Sequence, residues 1–65
     1  MTNLKQVASA IQSINKEFVV IEIPNGIGIA FKANEGVIRC EFDEARQLTG
    51  IFVDKNMDNY KIIKE

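Results

Sequence analysis

The chain has 65 residues, one cysteine, no histidine and a formal net charge of −1, a length that allows one small domain. A single cysteine excludes an internal disulfide, and without histidine there is no zinc site of the usual Cys/His kind. So small a charge supplies no strong field for nucleic acid or anionic lipid.

A domain of this size usually holds only roughly 3–5 kcal/mol from its core and often adds disulfides, metals or self-association. With 46% hydrophobic residues, self-association is the route this composition leaves open. No apolar stretch approaches the roughly 20 residues of a membrane span. The N-terminal residues lack the basic start and continuous apolar segment of a signal peptide, so the expected location is cytoplasmic. Abundant Ile, Asn and Lys, with Lys outnumbering Arg, fit an AT-rich genome, bacterial or phage.

Asn3 is placed to cap a helix, with Gln6 at the position that completes a capping box. Leu4, Val7, Ala8, Ile11 and Ile14 recur at helical spacing, which predicts one amphipathic helix over about 3–16. After Glu17 the pattern turns β-branched and aromatic.

Three apolar runs follow, predicted as strands over about 18–23, 27–33 and 37–43 and separated by Pro24-Asn25-Gly26 and Asn34-Glu35-Gly36. These turns supply residues that tolerate positive φ. Closing the first hairpin on Asn25-Gly26 as a type I′ turn sets Val20 opposite Phe31 and Glu22 opposite Ile29. Val19, Ile21 and Ile23 then stand opposite Lys32, Ala30 and Gly28. Ile27, Ile29, Phe31, Ile38, Cys40 and Phe42 share the face expected under the helix, while Val37, Arg39, Glu41 and Asp43 line the back.

Pairing Phe42 with Leu48 makes a further hairpin with a strand over about 47–54. In that register Ile38 faces Phe52 on the core side, Gly50 faces Cys40 at a bulge or bend, and Ile51 and Val53 point to the back. A polar loop, Asp54 to Asn59, precedes a last strand over about 60–64. The fold class is therefore α+β: residues 1–65 form a single domain, with an N-terminal amphipathic helix packed on a four- or five-stranded antiparallel β-meander.

The candidate sites begin with that back face. Val19, Ile21 and Ile23 project beside Gly28 and Ala30, whose small side chains leave the aliphatic row uncovered. Burial of one such side chain is worth roughly 1.5–3 kcal/mol, and contiguous exposed patches mark interaction surfaces. These five residues are the expected partner or oligomer interface; the alternative is a sheet that curls into a small barrel, with strand one meeting strand five. A register slip of one residue would exchange the faces.

Lys32, Arg39 and Tyr60 are the candidate ligand or anion contacts. Asp54, Asn56, Asp58 and Glu65 match the EF-hand calcium pattern except that Asn59 replaces its glycine, but the flanking segments read as strands, and a polar inter-strand loop is the reading adopted. Cys40, alternating with Ile38 and Phe42, reads as a small buried hydrophobe with no histidine to act as its base. Glu41, Asp43 and Glu44 read as a solvated strand edge. Glu22, on the core face, is a functional candidate only if buried. Gly26-Ile27-Gly28 leads into a strand, whereas a phosphate loop opens a helix. No cofactor or metal is expected.

The function expected from these features is a small non-enzymatic protein-interaction module that self-associates, most simply as a homodimer. It would act as a regulator or inhibitor of another macromolecule, for example as a phage or mobile-element protein directed against a host defence enzyme. The alternative is a small-molecule or nucleotide-binding module whose pocket forms between protomers. Nucleic acid is not an expected partner, because Tyr60 and scattered lysines make no basic groove with stacking platforms.

Overall fold

A computed structural model of the protein describes residues 1–63. Helix α1 spans Leu4–Ser13. The Asn3 side chain accepts from the Gln6 amide, and the Gln6 side chain accepts from the Asn3 amide at 2.8 Å, closing the capping box. The helix stops about a turn before the expected Lys16. Asn15 adopts φ 60°; its amide bonds the Gln12 carbonyl, and the Lys16 amide bonds that of Ile11. This is a Schellman cap with Asn in the left-handed position. Ile14 consequently falls outside the helix and is exposed.

Four strands, β1 (Val19–Ile23), β2 (Gly26–Ala33), β3 (Gly36–Asp43) and β4 (Leu48–Asp54), form an antiparallel meander. In the first hairpin Ile23 pairs with Gly26 and Ile21 with Gly28, two residues from the expected register. The loop is Pro24-Asn25, with Asn25 at φ 64°, as befits proline at the first and asparagine at the second centre of a type II turn. A slip of two leaves every side chain on its expected face. The β2–β3 pairing places Ile27, Ile29 and Phe31 against Phe42, Cys40 and Ile38, as expected. In the third hairpin the Asp43 carboxylate accepts the amides of Ala45 and Gln47, both at 2.9 Å, and Phe42 meets Leu48.

Beyond that turn the structure corrects the sequence reading. The register shifts between Phe42–Leu48 and Glu41–Gly50, leaving Thr49 as an extra residue. Ile38 therefore faces Val53, Arg39 faces Phe52 and Cys40 faces Ile51. Phe52 lies on the back, and Ile51 and Val53 lie on the helix side, the reverse of the expectation. The expected register runs unbroken from Phe42–Leu48 through Cys40–Gly50 to Ile38–Phe52, and inserting one unpaired residue inverts the strand downstream.

The fifth strand, β5 (Lys61–Ile63), begins one residue later than expected, and its predicted last residue, Lys64, lies outside the described residues. It joins the free edge of β1, not β4, giving the order β4-β3-β2-β1-β5. The sheet is not closed into a barrel.

Each face carries a core. Under the helix, Ile11, Ile29, Cys40 and Phe42 are buried, flanked by Leu4, Val7, Phe18 and Leu48 among others. Helix α1 is tied at one end by the Leu4 amide to the Arg46 carbonyl and near the other by Lys16 Nζ to the Lys32 carbonyl. It runs from the β3–β4 turn toward the start of β1, and the corner bearing Ile51 and Val53 stays open. On the back face Ile21, Ala30 and Val37 form a second core beneath Met57 and Tyr60. No helix among the described residues is long and apolar enough to cross a membrane.

Candidate functional site

The residues expected to form an open interface are in fact covered. Ile21 is 1% exposed and Ala30 0%, Gly28 is buried, and Val19 and Ile23 are half-buried. The segment between β4 and β5 folds back across the sheet, and its Met57 and Tyr60 pack on this row. Covering by a loop was not among the alternatives that strand periodicity suggested; two apolar residues amid polar Asp54–Tyr60 were the available signal.

The covering segment is anchored by a polar cluster on the same face. Asp54 Oδ2 accepts from Arg39 Nε at 2.8 Å and from the Tyr60 hydroxyl. Arg39 also pairs with Glu41 and lies 4.5 Å from the centre of the Phe52 ring, a cation–π distance. The hydrogen bond from Arg39, with that from Tyr60, holds the Asp54 carboxyl below its ordinary range. Burial and the bond to Asp54 push the Tyr60 hydroxyl up to about 12, and Arg39 is held more firmly protonated, chiefly by Asp54.

This cluster uses two of the three expected ligand contacts. Arg39 and Tyr60 meet at Asp54, whereas Lys32 borders a separate hollow beside Met57. Arg39 Nε and Nη1 and the Tyr60 hydroxyl are engaged by carboxylates within the chain, so the arrangement joins the strap to the sheet. The same bonds engage Asp54 as a structural acceptor, and Asn56 accepts from the Asp58 amide at 2.9 Å. No cluster of metal-binding side chains occurs among the described residues, and Glu65 lies outside them. The segment carrying the calcium-loop match folds as a strap over the back face, with an Asx turn at Asn56. Glu22 is exposed and pairs with Lys61 at 3.2 Å, so it is no buried carboxylate. Cys40 is buried, as expected, and burial pushes its thiol up.

The strongest candidate surface is one that strand periodicity assigned to the wrong faces. Strand β4 is an edge of the sheet. At its start the Leu48 amide bonds the Thr2 carbonyl and Asn3 bridges Gln47, so the N-terminal residues cap the edge there. From Gly50 to Asp54 no further strand lies alongside among the described residues. In this stretch Ile51 is 62%, Phe52 42% and Val53 68% exposed. Natural sheets blunt such edges with lysine, proline, bulges or a covering segment. Here the bulge and the covering segment protect only the first part, and no charged side chain intervenes between Leu48 and Asp54. Comparison with protein-family models, with curated proteins and with solved structures finds no match to this chain.

Proposed function

We propose that the protein is a non-enzymatic interaction module that self-associates through β4 and works as a regulator by binding. The observation that supports this reading is the run Ile51-Phe52-Val53, exposed on an edge strand whose outer backbone groups have no partner strand among the described residues. Burial of each such side chain stabilises by roughly 1.5–3 kcal/mol, and added strand pairing satisfies main-chain donors and acceptors at the same time. The surface differs from the row anticipated on β1, but the physical argument is the same: apolar side chains that the chain's own small core leaves in water. A ligand pocket formed around Lys32, Arg39 and Tyr60 draws less support, because Asp54 already engages Arg39 and Tyr60 and Lys32 stands apart.

Light scattering coupled to gel filtration, over a hundredfold range of concentration, tests the proposal. The expected result is a mass of two protomers that falls toward one on dilution, and Val53→Lys giving a monomer with an unchanged circular dichroism spectrum. A wild-type protein monomeric throughout, or a Val53→Lys variant that assembles like the wild type, refutes it.

A further inference from the structure

Resting on that reading, we infer that the partner of β4 is the β4 of a second copy, paired antiparallel about a two-fold axis through Phe52, so that two five-stranded sheets join into one of ten strands.

The edge itself selects this register. A two-fold axis perpendicular to a continuous sheet keeps each face on its own side, and directly opposed residues must project to the same side of the pleat. The axis therefore passes through a residue, not between two. An axis at Gly50 brings Phe52 of one copy against Leu48 of the other, where Thr2 and Asn3 occupy the edge. An axis at Ile51 carries the pairing onto Thr49, the extra residue of the bulge. An axis at Val53 sets Phe52 against Asp54 and Ile51 against Lys55, an aliphatic side chain against a cation.

An axis at Phe52 avoids all three. It uses Gly50 to Asp54, the stretch that is regularly paired to β3 and, among the described residues, open on its outer side. Ile51 of each copy stands opposite Val53 of the other, two aliphatic β-branched pairs on the helix side, where the corner uncovered by α1 is located. Phe52 meets Phe52 on the back. Such pairs are the units that stabilise a sheet. Gly50 stands opposite Asp54, so no like charges are opposed, and Asp54 is already neutralised by Arg39. The segment Gly50-Ile51-Phe52-Val53-Asp54 thus reads the same in polarity from either direction across its three central residues. That self-complementarity is what an isologous contact requires, and it is the reason for assigning a second copy in preference to an unrelated extended peptide.

Cysteine cross-linking under mild oxidation tests the register, with the wild type, whose Cys40 is buried, as the control. Phe52→Cys is expected to convert to a disulfide-linked dimer. Ile51→Cys and Val53→Cys, which retain Phe52, are each expected to stay unlinked alone and to give a linked heterodimer when mixed. If the wild type assembles while Phe52→Cys stays unlinked and the mixture links no more than its separate components, this register is overturned and self-association stands. If the wild type is monomeric at every concentration, both are overturned.

Discussion

Gly28 lies directly opposite Ile21, and a Cβ at Gly28 would sit 2.8 Å from Ile21 Cγ1 and 3.1 Å from Cδ1. The missing side chain is what lets Ile21 lie flat on the back of the sheet, where Ala30 and Val37 border it and Met57 and Tyr60 close over it. Gly28→Ala must displace Ile21 against that cover. Overpacking of this kind costs roughly 1–3 kcal/mol, a large part of what so small a domain holds. Thermal unfolding should show a Tm lower by several degrees, and an unchanged Tm would mean that the strap yields freely.

Tyr60 is the single tyrosine, and the chain has no tryptophan, so tyrosinate absorbance follows one group. In the folded protein it should titrate at about 12, against roughly 10 in an unfolded chain. Because the folded value is raised, this contribution to stability is complete below about pH 10 and is lost as the pH rises through the folded value. Asp54→Asn should bring the midpoint down; a wild-type midpoint near 10 would show that Tyr60 is not held by the strap.

Asp54 itself acts at the opposite end of the pH range. Its folded pKa lies below the ordinary value, so its contribution is present above the unfolded pKa of roughly 3.9 and disappears as the pH falls through the folded one. Denaturant midpoints measured from neutral to strongly acid pH should therefore decline more steeply for the wild type than for Asp54→Asn. Parallel declines would remove Asp54 as the anchor.

Asn15 holds the helix cap at φ 60°, a conformation that costs most side chains about 1–2 kcal/mol. Asn15→Ala should destabilise by about 1 kcal/mol, whereas Asn15→Gly, which meets no steric penalty there, should be close to neutral. Urea unfolding of the two variants side by side checks the order; equal midpoints would contradict it.

The Cys40 thiol is buried between Ile29 and Ile51 across the sheet. A thiol reagent should react with the native protein only at the rate of its opening, and immediately once urea unfolds it. Rapid labelling of the native state would mean that α1 does not cover this face.

Several features were legible because they depend on neighbours in the chain. The Asn3–Gln6 box needs only a spacing of three residues. The faces of β2 and β3 follow from strict alternation, and they tolerated an error of two residues at the Pro24-Asn25 turn because the pleat repeats every two. The Phe42–Leu48 pairing holds, but the reason for expecting it, that it also sets Ile38 opposite Phe52 on the core face, does not, because Ile38 pairs with Val53. Helix length was overestimated, since Asn15 reads locally as one more polar residue and reveals its role only in the left-handed cap.

The residues of the candidate site were legible as apolar, but not as exposed. Whether Ile51 and Val53 face the helix side depends on whether a residue of Thr49-Gly50 is left unpaired opposite Glu41, a choice between a regular and a bulged ladder that periodicity does not distinguish. Whether Ile21 is open or covered depends on the path of Lys55 to Tyr60, and β5 pairs with β1 because the chain crosses back to the opposite edge. Sequence alone determined an N-terminal helix on an antiparallel sheet, with the side chains of β1, β2 and β3 assigned to their faces. Tertiary structure alone decided which apolar row is sealed and which is offered, because that outcome rests on one bulge and one long-range crossing, and neither leaves a local period in the chain.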